Sequence, residues 1–285
     1  MANWRKLGVI AGGGELPVVL AEHYASEGLP YFIAGIAPLA SPALNHHPGA
    51  AHSLGAMGAR IAALREAGCD AIVLLGQVPR QDPRTLDLDE GGLAMLPALL
   101  AAAPLGDDAL LRAVLTEHER IGFRVLGAEE AMAELLAPAG VWGAVAPKPT
   151  DLADIKRAAS IAAAIGAFDV GQGIVVCEGL VLAVEAQEGT DSMLARVAQL
   201  PAALRGTPDA RRGVLVKRPK PMQERRIDLP TIGVRTIEGV ARAGLAGVAV
   251  EAGGALAVRR SELVAAADRA GLFVNGFTHA EVGET

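Results

Sequence analysis

The sequence predicts an α/β protein of two domains: a Rossmann-like parallel sheet over residues 1–137 and a mixed-sheet α/β domain over 151–285, joined by a linker at 138–150. Three observations carry that expectation. A chain of 285 residues is long for one core, since domains usually run roughly 100 to 150 residues. The first half alternates short aliphatic runs with helical stretches in the order of βα units. At Pro138 the texture changes to "PAGVWGAVAPKPTD", with three prolines and no long periodic run.

In chain order, "LGVIAG" (7–12) reads as a buried strand, and residues 15–27 as a helix with Leu16, Val19, Leu20 and Tyr24 near helical spacing. "YFIAGI" (31–36) is the second strand, followed by a loop containing proline and histidine. "MGARIAALREAG" (57–68) is a helix ending at glycine, and "DAIVLLG" (70–76) a parallel strand. Helices near 92–102 and 107–121, the run "FRVLGA" and a helix near 129–136 complete the first domain. The second opens with a helix from Asp151, its expected N-cap, to about Gly166. "GIVVCEGLVLAVEA" (173–186) reads as a hairpin about Glu178-Gly179, followed by a helix 191–200 and the strand "GVLVK" (213–217). A helix near 234–243, "AGVAVEAGGALAV" (246–258) as another hairpin, a helix 261–270 and "LFVNGF" end the chain.

Composition narrows the function classes. The chain is 51% hydrophobic and 3% aromatic, with mean hydropathy +0.33, so packed cores are built from Ala, Val, Leu and Ile. No run reaches the ~18 uncharged apolar residues of a membrane span. The N-terminus passes from "MANWRK" directly into a strand, without a signal-peptide pattern. Cys69 and Cys177 give neither metal spacing nor a disulfide framework, so a cytoplasmic protein is expected. A net charge of −6 and a pI near 5.6 argue against a nucleic-acid partner.

Five stretches carry candidate chemistry. "AGGGELP" (11–17) joins a strand to a helix, where the N–H groups of Gly12, Gly13 and Gly14 suit an anion, the alternative being a tight turn without any ligand. Pro17 replaces the third glycine of a dinucleotide fingerprint and no acid ends the second strand, which counts against NAD. In "GDDALL" (106–111), Asp107 or Asp108 is expected to cap the next helix, the alternative being that one of them reaches a ligand. His46, His47 and His52 share one loop without a carboxylate to complete a metal set and read as solvated. "CEGLVLAVEAQEGTD" gathers Glu178, Glu185, Glu188 and Asp191; Thr190 or Asp191 suits a helix cap, while Glu188 and Asp191 at one turn suit Mg²⁺.

The fifth, "KRPKPMQERRIDLPTIG" (217–233), sets five cations and three prolines in seventeen residues. A proline-stiffened loop aims side chains, so Lys217, Lys220 and Gln223 suit phosphate contact and Asp228 suits metal ligation or water orientation. The competing account is an exposed basic loop whose ion pairs contribute little.

Taken together, "LGVIAGGGELP", "GDDALLR", "GQGIVVCEGLVLAVEAQEGTDSML" and "KPMQERRIDLPTIG" resemble the UDP-2,3-diacylglucosamine pyrophosphatase family of the lipid A pathway, in order and over nearly the whole chain. The resemblance implies a Mg²⁺-dependent cytoplasmic hydrolase that cleaves the substrate's pyrophosphate to 2,3-diacylglucosamine 1-phosphate (lipid X) and UMP. It implies two α/β domains enclosing the substrate, with Asp228, in "RRIDLP", as the essential aspartate. The family often has Asp after the motif glutamine, where this chain has Glu224. Asp228, by the resemblance, and Asp191 and Glu188, by their shared strand-to-helix turn, are the expected metal ligands. Gly12, Gly13, Gly14, Thr190, Lys217, Lys220 and Gln223 are the expected substrate contacts. Acyl chains imply peripheral contact with the inner membrane, helped by Arg225 and Arg226; whether the protein is a homodimer is left open. The rival readings are a non-catalytic carrier of a nucleotide or acylated sugar and a nicotinamide-dependent oxidoreductase.

Overall fold

Aliphatic runs of five residues such as Leu7–Ala11 and Ala71–Leu75 are short for a helix and apolar at successive positions, so they form strands buried on both faces. The computed structural model describes residues 4–226 and 228–284. It divides the chain into unit 1, Met1–Ala133 with Glu224–Ile227, and unit 2, Glu134–Gln223 with Asp228–Thr285.

Unit 1 runs β1 (Leu7–Ala11), α1 (Leu16–Ser26), β2 (Tyr31–Ala37), β3 (Gly49–Ser53), α2 (Met57–Glu66), β4 (Ala71–Leu75), α3 (Glu90–Ala102), α4 (Asp107–Arg120), β5 (Arg124–Leu126) and α5 (Ala128–Ala131). The strands lie in the order β3-β2-β1-β4-β5, all parallel. Ile10, Ile36, Leu64, Ile72, Leu115 and Val125 build one core against this sheet. Strand β3 was not foreseen, because "GAAHS" has small and polar residues and lies at the sheet edge, where one neighbour suffices. The helix expected near 129–136 is a four-residue turn, since Met132 adopts an extended backbone and breaks it.

Unit 2 runs β6 (Gly140–Val141), α6 (Pro149–Gly166), β7 (Gly173–Cys177), β8 (Leu180–Val184), α7 (Gly189–Ala198), β9 (Val214–Lys217), β10 (Thr231–Ile232), α8 (Val234–Arg242), β11 (Gly247–Glu251), β12 (Leu256–Ala257), α9 (Arg260–Ala270), β13 (Phe273–Phe277) and α10 (His279–Val282). Its main sheet has the order β6-β13-β11-β9-β7-β8, with β13, β11 and β9 parallel and the others antiparallel. The α/β class with a parallel N-terminal and a mixed C-terminal sheet is thus as the sequence predicts.

Three local expectations are corrected. Residues 138–150 are not a plain linker: β6 pairs with β13, and the buried Trp142 donates its indole N–H to Pro138 O at 3.0 Å. Helix α6 starts at Pro149, a residue pre-set for a first helical turn, so Asp151 sits inside it and accepts the Lys148 N–H at 2.8 Å. Strands β11 and β12 form no hairpin; β12 leaves for a parallel pairing with β10.

Alternation along the central strands sorts side chains onto two faces. Leu215, Val248, Val250 and Val274 pack with Leu194, Val197, Ile237, Val240 and Leu263 of α7, α8 and α9. Val214, Val216, Ala249 and Phe273 pack with Ile155, Ala158, Ala159 and Ala162 of α6. The same alternation sends the adjacent cations Lys217 and Arg218 to opposite faces. Arg218, 7% exposed, reaches Ala159 O on α6, pairs with Glu284 at 2.7 Å and lies 3.0 Å from the 3%-exposed Glu251. That last contact is close but poorly aligned, since Arg218 Nε and Glu251 Oε2 both lack a hydrogen-bond partner.

Removing one member of a buried ion pair strands the other. Arg218→Ala, leaving Glu251 uncompensated, is expected to lower unit 2 stability by about 3–5 kcal/mol in urea unfolding. A loss below about 1 kcal/mol would show that the pair is not effectively desolvated.

Candidate active site in unit 2

Past β9, Pro219 and Pro221 stiffen the chain, and the Gly166 backbone packs close to Pro221 and Lys220. Gln223 is 7% exposed, and its side-chain oxygen accepts the Lys220 N–H at 2.8 Å, which closes a turn that returns the chain toward Asp228. The Gln223 amide then donates to Asp228 Oδ2, and the Gln172 amide, just before β7, lies 3.2 Å from both Asp228 oxygens. Two glutamine amides therefore fix one carboxylate.

Asp228 retains some exposure to solvent, yet burial raises its carboxyl above the ordinary aspartate range. The Gln172 amide, Lys220, the Gln223 amide and Lys217 pull it back without cancelling that effect. Lys220 is tied to Asp169, and Lys217, 6% exposed, donates to Thr190 Oγ1 at 2.6 Å. A half-buried carboxylate facing two lysines is a suitable place for an anionic substrate and for ordering a water molecule.

Of the expected residues, Asp228, Gln223, Lys220, Lys217 and Thr190 are gathered by unit 2. Glu188 and Asp191 are not brought to them as metal ligands. Glu188 pairs with Arg196 at 2.5 Å, and Asp191, exposed in the first turn of α7, pairs with Arg235 at 2.6 Å. Among the described residues no group of three or more His, Cys, Asp and Glu side chains is arranged for a metal ion. A Mg²⁺ held by one or two carboxylates with waters and substrate phosphates needs no such group. The donors that fit are Asp228 and Gln172 Oε1, a buried oxygen with no hydrogen-bond partner.

The glycine turn belongs to unit 1, and its backbone is largely engaged. Gly12 N–H donates to Leu75 O at 2.8 Å, and Gly13 exchanges hydrogen bonds with Gln77 at 2.9 and 2.8 Å. Those two groups are stitching β1 to β4 and are not free for an anion, which corrects the expectation for Gly12 and Gly13. Gly14, at φ +91° with open space where a side chain would be, is the one of the three still placed for close approach.

Other candidates also have partners. Helix α4 is preceded by Gly106 without a side-chain cap, Asp107 pairs with Arg80, and Asp108 accepts the Glu224 N–H at 2.6 Å. Glu224 binds Arg226, whose guanidinium also meets Glu119 at 2.6 Å, so these residues tie the 224–226 segment into unit 1. Arg226 holds Glu224 below the usual carboxylate range. His47 meets the Tyr31 hydroxyl at 2.6 Å, and His52 lies in β3. A cavity of ≈ 520 Å³ lies at the N-terminal ends of β9, β11 and β13, away from Asp228, but its Arg211 and Arg212 already bind backbone carbonyls and Glu178.

Residues that sequence reasoning missed are Gln172 and Asp169, and Glu185, though counted in the acid cluster, was given no role there. Gln172 stands between two glycines in "GQG", a turn signal beside a strand that marks backbone built for close approach. Asp169, at φ 59°, and Glu185 meet their lysines only through the fold.

Residues 6–135 match the family model described as the LpxI N-terminal domain, and residues 138–275 match the LpxI C-terminal domain. The chain is 54% identical over 272 residues to UDP-2,3-diacylglucosamine pyrophosphatase LpxI of Caulobacter vibrioides, covering 95% of this chain and 97% of that one. A solved structure of CobK precorrin-6A reductase is 12% identical over 98% of each chain with a TM-score of 0.34, too low to carry a conclusion.

The raised Asp228 carboxyl has a stability consequence with a definite sign. The folded chain keeps this proton at pH values where the unfolded chain has lost it, so the ionised group lowers stability as pH rises through the raised pKa. Below the unfolded value of about 4 that effect is absent. In EDTA, Asp228→Asn is therefore expected to melt no lower than wild type at pH 7.5, with any gain shrinking as pH falls toward about 4. Calorimetry showing the variant several degrees less stable at pH 7.5 would mean that the lysine and glutamine contacts outweigh desolvation.

Proposed function

The chain belongs to the LpxI family, and from that premise we propose that it hydrolyses the pyrophosphate of UDP-2,3-diacylglucosamine to 2,3-diacylglucosamine 1-phosphate and UMP. The observation that carries the proposal is the Asp228 carboxylate, fixed by Gln172 and Gln223 and facing Lys217 and Lys220. The Caulobacter vibrioides relative at 54% identity, whose name states this activity, supports the choice of substrate.

In the reaction, water attacks the sugar-side phosphorus, the bridging P–O bond breaks, and UMP leaves with the bridging oxygen. Asp228 orients the water and takes up its proton, a role favoured by a carboxyl whose pKa burial raises above the ordinary aspartate range. The two lysines offset negative charge on the phosphoryl oxygens and on the departing phosphate. Gln172 and Gln223 keep the carboxylate aimed, so little reorganisation accompanies attack. A Mg²⁺ bound by Asp228 and Gln172 Oε1 would supply Lewis-acid polarisation of the phosphoryl oxygens.

The acyl chains hold the substrate in a bilayer, so turnover belongs at a membrane surface; among the described residues no helix is long and apolar enough to cross one. Sedimentation is expected to pull the protein down with vesicles carrying UDP-2,3-diacylglucosamine. Equal recovery in the supernatant with and without vesicles would remove the surface step.

Purified protein with Mg²⁺ is expected to release UMP and lipid X in equal amounts, with release stopped by EDTA. Asp228→Ala is expected to lose about 10²–10⁴-fold in kcat, the usual contribution of a positioned acid or base. Tight substrate retention without UMP release by the wild type would favour the carrier reading, and full turnover by Asp228→Ala would take that residue out of the mechanism.

A further inference from the structure

Three strands place Glu185, Gly173 and Lys217 in one lateral row of the unit 2 sheet. Glu185, just past β8, donates its N–H to Gly173 O at 2.8 Å, and Gly173 on β7 is the register partner of Lys217 on β9. Side chains two strands apart, with roughly 9 to 10 Å between their backbones, are ordinarily separated by the side chain of the middle strand. Here the middle residue is glycine, and a Cβ at that position would overlap Glu185 Oε2. The gap lets Glu185 lean toward Lys217 until Oε2 and Nζ are 4.0 Å apart.

Thr190 in the first turn of α7 completes the link. Lys217 Nζ donates to Thr190 Oγ1 at 2.6 Å, and Thr190 Oγ1 donates to Glu185 Oε1 at 2.7 Å. The hydroxyl can donate only one proton, so accepting from the ammonium and donating to the carboxylate fixes its direction. Lys217 and Glu185 are 6% and 8% exposed, and Glu185 Oε2 is buried without a hydrogen-bond partner, so its nearby compensation is the lysine charge. A buried pair of this kind is costly to maintain for stability alone.

We propose that Glu185, acting through Thr190 across the gap left by Gly173, is the positioning residue that holds the Lys217 ammonium at the reacting phosphate. The inference rests on the reading of Lys217 as a phosphate-facing group. Without the relay, a lysine on a four-carbon stem samples many rotamers, and its charge is no longer preorganised where negative charge develops. Glu185 does not touch the substrate in this scheme; its effect passes entirely through Lys217.

The test compares Glu185→Gln, Thr190→Val, Thr190→Ser and Gly173→Ala in the full chain by two readouts. In steady-state hydrolysis of UDP-2,3-diacylglucosamine, Thr190→Val and Glu185→Gln are each expected to lower kcat about 10- to 100-fold, the loss tied to one hydrogen bond to a charged group. KM should move by less than about threefold, because the interaction lost is one made in the transition state. Thr190→Ser, which keeps the hydroxyl, should recover about tenfold over Thr190→Val. The combined Glu185→Gln, Thr190→Val variant should be no worse than either single change, since both act on one lysine.

The second readout needs no turnover. Acylation of Lys217 by an amine-reactive ester, mapped by mass spectrometry, should be about tenfold faster in Thr190→Val and Glu185→Gln than in wild type. Gly173→Ala, made by filling the gap, should behave like them and serves if Glu185→Gln does not fold. Unchanged kcat and unchanged Lys217 labelling in Thr190→Val would overturn the proposal, as would a loss confined to KM. A wild type that releases no UMP would instead sink the hydrolase reading, and the labelling would still decide whether Glu185 and Thr190 hold the lysine.

Discussion

Two adjacent cations, Lys217 at the end of β9 and Arg218 just past it, are both kept compensated by the polar architecture of unit 2. Lys217 and Arg218 are 6% and 7% exposed, on opposite faces of one sheet, so no single carboxylate can serve them. Arg218 is met on the α6 side by Glu251 and Glu284 and by a helix carbonyl, a structural clamp. Lys217 is met on the α7 side more lightly, by a hydroxyl and a carboxylate at 4.0 Å, and remains within electrostatic reach of Asp228. The more heavily paired cation closes the fold, while the lightly paired one retains attraction for an anion.

Asp228 illustrates the reverse economy of charge. Burial makes its ionised form unfavourable, and the surrounding amides and lysines only partly restore it. A carboxylate left in that condition reacts more readily with a proton or a cation than one already saturated by arginine, as Glu188 and Glu224 are. The contrast separates acids that organise structure from the acid proposed to act in chemistry, although all three lie in segments of mixed charge.

Glycine serves two distinct purposes in the molecule. In unit 1, Gly12 allows β1 and the segment after β4 to approach so closely that a Cβ would meet Gln77 O at 2.7 Å, and the turn is consumed by strand-to-strand hydrogen bonds. In unit 2, Gly173 lies within a strand and creates room for side chains from its two neighbours. A run of glycines in sequence attracts attention as a ligand loop, yet the solitary glycine in the strand shapes the polar site.

Asp228 was singled out as the leading acid by the family resemblance of its motif; the sequence by itself determined the class of each half and the long helices and strands to within a few residues. These follow from local quantities: side-chain periodicity, unbroken aliphatic runs and prolines that limit the backbone. It left "GAAHS" unread as a strand, since an edge strand of small residues has no strong local preference, and it read residues 138–150 as a connection because β6 has only two residues. Only the tertiary structure decided which charges meet. Glu188 and Asp191 stand close to Thr190 in the chain but turn to Arg196 and Arg235, whereas Gln172, 56 positions from Asp228, supplies its amide. Partner choice for a charged side chain depends on strand register and on which face alternation assigns, and both are properties of the assembled sheet rather than of neighbours along the chain.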